Sequence, residues 1–513
     1  MRRDPGPEAL RRWIDRAAAR DPDKPYLVSL EDGRAMSYAE LARTTGRIAA
    51  HFAARGIGAN ARVALLAGNS PEHLAVYLGV LAAGATICTV HVEANRPHLD
   101  AILQALAPCL VIHEESLELA EFAARTNAPW RPLGRWDDGG GTGFFADLPA
   151  EGAAPSPRAM PTDDAVILFT SGTTALPKGV VLTYREMLGN AAAAADGFGI
   201  GPDDRVYDYR SFNWASAQLL GALATLSAGA TLLLRRRFSR SRFFADLARF
   251  GATIAAGNPT VIGLLLRAEE PAGRVDLPDF RFMTSSSAPL LEDEWRRFEQ
   301  RFGIAVAQGY GTSETGWVAT CTGATRRFGT VGRPLAHLEL AIVDEAGRAL
   351  AAGEVGHVEV GGLDGNRYRY IGEDGAVRIA AVGRARTGDM GFLDADGYLH
   401  LTGRERDLII RGGVNIAPVE IDAVLTGIAG VAEAATVGVP DPIYGEEVVS
   451  YVVLAPGTRM GAADILARCG ERLPAFKAPK HIVVRGSLPR TDRGKLDRGA
   501  LAREWPGGDL PSL

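Results

Sequence analysis

The run Phe169-Thr-Ser-Gly-Thr-Thr-Ala-Leu-Pro-Lys-Gly179 decides how the rest of the chain is read. It lies between two apolar stretches with the look of strands, Asp164-Ala-Val-Ile-Leu168 and Val180-Val-Leu-Thr183. Within it stand hydroxyls at Thr170, Ser171, Thr173 and Thr174, glycines at Gly172 and Gly179, and a lysine at Lys178. Small residues let the backbone approach an anion, N–H and hydroxyl groups donate to its oxygens, and the lysine adds a compact positive charge. That is the chemistry of a polyphosphate loop, with a polar turn between two strands as the other reading. It is not a Walker A loop, because Lys178 precedes Gly179 and a valine follows, where that loop needs Gly-Lys-Ser/Thr.

The bulk properties bound what such a loop can serve. At 513 residues the chain exceeds one ordinary core and predicts two or more domains. Its 47% hydrophobic content and mean hydropathy near zero describe a soluble globular protein. A net charge of −5 makes no electrostatic case for nucleic acid or an anionic membrane. No apolar run is long enough to span a bilayer, and Met1-Arg-Arg-Asp-Pro-Gly-Pro has no apolar segment behind it that would make a secretory signal. Cys88, Cys109, Cys321 and Cys469 lack metal-ligand spacing and read as reduced thiols. A cytoplasmic enzyme is expected. The chain holds five lysines against 51 arginines, so a lysine can mark a position where a compact ammonium is wanted, with an ordinary surface residue as the other reading. Lys178 and Lys495 both fall inside motifs.

Outward from the loop, strand and helix patterns alternate. Residues 8–22 read as an amphipathic helix and Tyr26–Leu30 as a strand. Ser37-Tyr-Ala-Glu40 resembles a capping box opening a helix to about Arg55, and Ser70-Pro opens another that ends at Gly84. A further helix is expected at roughly 215–228. Gly139–Gly143 and residues 148–161 read as flexible surface connection. From about Val355 the runs shorten (356–360, 367–371, 397–402) and suggest a smaller β subdomain. The expected class is α/β. A large N-terminal domain of layered α/β subdomains plus a β subdomain (1–403) is followed by a hinge at 404–407 and a small mobile α+β C-terminal domain (408–513).

The run at 169–179 resembles the phosphate loop of the adenylate-forming superfamily, which includes acyl-CoA synthetases, stand-alone adenylation domains and firefly luciferase. Further stretches match that family in order, from about residue 25 to 500. Phe282-Met-Thr-Ser-Ser-Ser-Ala-Pro-Leu290 resembles the loop bordering adenine, which implies Ser287, Ala288 and Pro289 against the base. In Gln308-Gly-Tyr-Gly-Thr-Ser-Glu-Thr-Gly316 the resemblance sets Gly309, Tyr310, Gly311 and Thr312 at the nucleotide and Ser313 at the α-phosphate. Glu314 and Thr174 then hold Mg²⁺, an ion that prefers carboxylate and phosphate oxygens. Asp389 in Arg386-Thr-Gly-Asp389, with Arg404, resembles the ribose site. The usual aromatic before Thr-Gly-Asp is absent, and Gly361–Ile379 departs from the family pattern. Arg406 matches the hinge position, and Gly412-Gly413 matches the loop that leaves space for the pantetheine arm of CoA. Lys495, in Leu488-Pro-Arg-Thr-Asp-Arg-Gly-Lys495, matches the adenylation lysine.

What the resemblance implies is an ATP-dependent acid–CoA ligase that forms an acyl-adenylate and then a thioester, with ATP, Mg²⁺ and coenzyme A as cofactors. Thr174, Lys178, Glu314 and Lys495 carry the chemistry. Asn213, Trp214, Asn258, Gly311, Thr312 and Trp317 are candidates for the wall of the acid pocket. Trp214 falls at the gate position by its distance to Gly229-Ala230, and packing in the core is its other reading. Acetyl-CoA synthetases close their pocket with tryptophan where this chain has Gly311, so acetate is not expected. Phe212-Asn213-Trp214 offers no aspartate for an α-amino group. A medium-sized or aromatic carboxylic acid is expected. Free CoA is the expected acceptor, a separate carrier protein is the alternative, and a nucleotide-binding module without chemistry is a third reading. No nucleic acid or membrane insertion is expected, and monomer and homodimer both stay open.

Overall fold

The computed structural model describes residues 6–91, 96–117, 119–137, 141–151, 155–170, 178–269, 271, 273–362, 367–491 and 495–505. Its centre is a sandwich of two large sheets, one of nine strands and one of eight. Both are parallel in the middle; the nine-stranded sheet is antiparallel at both edges and the eight-stranded sheet at one, its other edge pair (Leu110–His113 with Trp130–Pro132) being parallel. The inner faces share one core cluster with the helices Tyr38–Ala53, Pro71–Ala82 and Tyr184–Phe198. The helix Pro71–Ala82 is buried all round, as expected of an element held between two sheets. Separate clusters cover the outer faces.

Local chemistry starts the helices where the sequence asks. Ser37 and Glu40 form the expected capping box, Glu40 N–H donating to Ser37 Oγ and Ser37 N–H to Glu40 Oε2. An equivalent box at Thr183 and Glu186 turns the strand Lys178–Thr183 directly into the helix Tyr184–Phe198. Each such cap is worth ~1 kcal/mol. The helix expected at 215–228 is a π-helix, Ala217–Ala224, closed by an α-turn, Thr225–Ala228. Its Gly221 packs against Asp208 and the Phe212 ring, leaving no space for a side chain.

Two expectations change. The strand Arg367–Ile371 does not join the small β subdomain. That subdomain is a four-stranded sheet of Leu338–Val343, Gly356–Gly362, Ala385–Leu393 and Leu399–Arg404. Arg367–Ile371 instead pairs antiparallel with Lys178–Thr183 in the eight-stranded sheet. Ile371 lies over Gly179 where any side chain would collide, and Arg369 forms an ion pair with Asp164 at 2.6 Å. In the stretch 148–161, of which 152–154 lie outside the described residues, both described ends are anchored rather than loose: Leu148 and Ala159 are buried in the main core and Arg47 donates to the Pro149 carbonyl.

After a single 3₁₀ turn at Glu405–Asp407 the chain builds a five-stranded sheet with the helices Pro418–Thr426, Ala462–Gly470 and Arg498–Arg503. Its two core clusters draw only on residues from Ile409 onward.

Candidate active site

Three motifs far apart in sequence meet at Asp389. Tyr310, on the strand Val306–Thr312, donates its hydroxyl to Asp389 Oδ2 at 2.6 Å. Arg404 Nε donates to Asp389 Oδ1 at 3.0 Å, the two residues being cross-strand partners. Asp389 is 5% exposed, and these two donors engage both of its oxygens. Burial, then the Asp389 charge, pushes the Tyr310 phenol well up, so it stays a donor.

Beside this group the strand Phe282–Ser285 runs into the Ser286–Pro289 loop, parallel to Val306–Thr312. Ser287 has φ +73°, a left-handed conformation without glycine, which costs ~1–3 kcal/mol and is typical of functional loops. Ser285 and Ser286 are buried, and their hydroxyls have no partner among the described residues. An unmet buried hydroxyl costs ~1–3 kcal/mol, so the loop is built to receive a polar ligand.

Glu314 follows on the turn after Thr312, half-buried. One carboxylate oxygen accepts the Tyr370 hydroxyl at 3.2 Å, and among the described residues no cation forms a salt bridge with it. A carboxylate with an oxygen to spare suits Mg²⁺. Ser171, Gly172, Thr173 and Thr174 lie outside the described residues, and Thr170 and Lys178 are described as strand residues only.

Lys495 reaches this region from the end of the chain. A cleft of about 200 Å³ is lined by Pro259, Ala288 and Pro289 on one side and by Glu433, Lys495 and Arg498 on the other. The backbone around Lys495 is held by Thr491 N–H to Lys495 C=O at 2.7 Å and Asp497 N–H to Pro489 C=O at 2.9 Å. Three residues on, Arg498 donates to the Thr436 carbonyl and pairs with the buried Asp422. Sequence reasoning missed Asp422, Glu433 and Tyr370; nothing local to those positions marks them.

The candidates for the acid pocket are placed more variously. Asn213 is buried, donating to the Ala67 carbonyl and Ser211 Oγ. Trp214 is half-buried and stacks on His91, with ring centroids 6.2 Å apart. Asn258 caps the helix Pro259–Leu266 by accepting from Val261 N–H. Thr312 bonds within its own turn to Thr315. Trp317 belongs to the main core, edge-on to Phe198 and lying across Gly309. A Cβ at Gly311 would collide with the Gly316 carbonyl. The hairpin itself therefore demands that glycine, and it does not measure the width of the pocket. Gly412 and Gly413 form a turn with φ +58° and +82°, and a side chain at 413 would meet open space in this arrangement. Arg406 is exposed in the 3₁₀ turn.

A family model described as AMP-binding enzyme matches residues 14–364, and one described as AMP-binding enzyme C-terminal domain matches residues 420–495. The chain belongs to the AMP-binding enzyme family. Within it, a sulfoacetate–CoA ligase from Cupriavidus necator is 34% identical over 94% of this chain and 95% of that protein. An indoleacetate–CoA ligase from Aromatoleum aromaticum is 31% identical over 95% and 96%. The ATP-bound crystal structure of MatB from Rhodopseudomonas palustris superposes with a TM-score of 0.84 at 28% identity, covering 96% of this chain and 98% of that one. The apo structure of the same protein gives 0.77. This member of the AMP-binding family thus follows the ATP-bound shape more nearly.

Proposed function

We infer that the chain joins a carboxylic acid to a thiol in two steps through one site. It is an AMP-forming acid–CoA ligase that uses ATP, Mg²⁺ and CoA. The observation that carries the assignment of residues is that Lys495 shares its cleft with Ala288 and Pro289, on the loop that follows the strand paired with the Tyr310 strand.

In the first step the acid's carboxylate oxygen bonds to the α-phosphorus of ATP, and the bond to the bridging oxygen breaks to release pyrophosphate. Asp389 and Arg404 take the ribose, Tyr310 and the Ser287–Pro289 loop take the adenine, and the loop Thr170–Lys178 takes the phosphates. Lys495 donates to the carboxylate and bridging oxygens as negative charge builds there. Glu314 and Thr174 would hold Mg²⁺, which neutralises phosphate charge when bound. Positioning and charge neutralisation carry the step.

In the second step residues 408–513 turn about 404–407, at Arg406. Lys495 withdraws, and the Gly412-Gly413 turn lines the path of the pantetheine arm. The CoA sulfur attacks the acyl carbon, its proton passing to solvent, and AMP leaves. The exposed turn and the separate core beyond Ile409 support this boundary.

The acid we propose is medium-sized or aromatic, without an α-amine. Relatives named for indoleacetate and ferulate support it, and a relative named for sulfoacetate puts a short anionic acid among the alternatives. Pyrophosphate release with a panel of indoleacetate, ferulate, sulfoacetate, oxalate, octanoate and acetate, with and without CoA, tests this. Release with an aromatic acid and a CoA thioester as product is expected. Release without thioester would turn the acceptor to a carrier protein, and a preference for sulfoacetate or oxalate would overturn the acid class.

A further inference from the structure

The stretch from Gly361 to Ile379 departs from the family pattern and has no part in the scheme above. In the structure it supplies a hairpin, Arg367–Ile371 and Val377–Val382, that extends the eight-stranded sheet beside the phosphate-loop stem. Tyr370 pairs with Val180 and Ile371 with Gly179, the residue after Lys178. Arg369 ties the same strand to Asp164, at the start of the strand that leads into the loop. Tyr368 donates to the Val360 carbonyl, tying it to the four-stranded sheet. Tyr370 donates its hydroxyl to Glu314 Oε1 at 3.2 Å. Glu314 stands just beyond the end of a strand of the other large sheet. One side chain therefore spans from the stem of the phosphate loop to the carboxylate at the end of the nine-stranded sheet.

We propose that Tyr370 is a positioning residue for Glu314, setting the divalent-cation affinity of the nucleotide site. The inference rests on the reading of Glu314 as the metal carboxylate. A half-buried glutamate on a turn can adopt several rotamers. A hydroxyl fixed to the neighbouring sheet holds one carboxylate oxygen and leaves the other available to a cation. Partners that orient a metal-binding carboxylate typically matter about 10-fold or more in metal affinity.

The test is binding of Mn²⁺ in the presence of a non-hydrolysable ATP analogue, read from the electron paramagnetic resonance signal of free Mn²⁺. Wild type, Tyr370→Phe, Glu314→Gln and Arg369→Met are compared. Tyr370→Phe keeps the ring and loses only the hydroxyl, and should weaken Mn²⁺ binding about 10-fold. Glu314→Gln should weaken it at least as much, whereas Arg369→Met, which loosens the hairpin but keeps the hydroxyl, should weaken it less. Wild-type Mn²⁺ affinity in Tyr370→Phe beside a weakened Glu314→Gln would overturn the proposal and leave Glu314 as the metal carboxylate. Wild-type affinity in both would remove Glu314 from the metal site and the proposal with it. An equal loss in Arg369→Met would also overturn it, assigning the effect to hairpin packing.

Discussion

Arg267, at the end of the helix Pro259–Leu266, lies 2.9 Å from Glu433 on the strand Val431–Asp441, and the pair bridges the part of the chain before the 3₁₀ turn and the part after it. The other oxygen of Glu433 accepts from Arg490 at 2.6 Å. Arg490 bridges to Leu496, the neighbour of Lys495, so Glu433 fixes the lysine-bearing loop against the first part of the chain.

Glu433→Gln should therefore slow pyrophosphate release and spare thioester formation from supplied acyl-adenylate. Arg267 is half-exposed, so the pair is worth ~1 kcal/mol, or about fivefold in rate. Separate assays of the two half-reactions check it. An equal loss in both would count against a latch.

The Tyr310–Asp389 bond should be felt in ATP binding alone. Losing a hydrogen bond to a charged acceptor costs ~1.5–3 kcal/mol. Part of that cost reaches the ATP complex because Asp389 loses the donor that orients it, so Tyr310→Phe should raise the Kd for ATP severalfold, and Asp389→Ala should raise it further because the ribose loses its acceptor. Calorimetric titration with ATP checks both. Unchanged affinity in Asp389→Ala would move the ribose elsewhere.

Acid should weaken the fold through the buried His73 and the half-buried His337. Burial lowers the imidazoles of His73 and His337 from 6.5 to about 4. Between those values the unfolded chain binds protons that the folded chain refuses, so stability falls as pH drops from about 6.5 to about 4 and is level above. The fully buried His73 accounts for up to ~3 kcal/mol of this. Urea midpoints at pH 7.5 and 5 should differ accordingly, and His73→Gln should flatten part of the slope.

Gly309→Ala should destabilise by ~1–3 kcal/mol through overpacking. The added carbon would sit 2.5 Å from the Trp317 ring and 2.8 Å from Phe198, both buried. Thermal unfolding of the variant measures it.

What could be read from the sequence was whatever residue type and short spacing encode together. Ser37 with Glu40 announces its own helix start, and Tyr310, Asp389 and Arg404 each sit in a dense run of unusual residues. The rest depends on contacts between distant segments. A tyrosine at 370 or a glutamate at 433 looks like any strand residue until the sheets are assembled. The alternation in Arg367–Ile371 announces a strand, but which sheet edge receives it depends on the bare backbone at Gly179, far upstream. Gly311 shows the reverse: a glycine taken as a sign of an open pocket is required by its own hairpin.

The central claim is that the acid first becomes an acyl-adenylate with help from Lys495. ATP–pyrophosphate exchange, with an accepted acid and no CoA, tests it most directly. The account predicts label entering ATP only when the acid is present, and loss of exchange in Lys495→Ala while that variant still makes thioester from supplied acyl-adenylate. Thioester formation without exchange, or full exchange in Lys495→Ala, would contradict it.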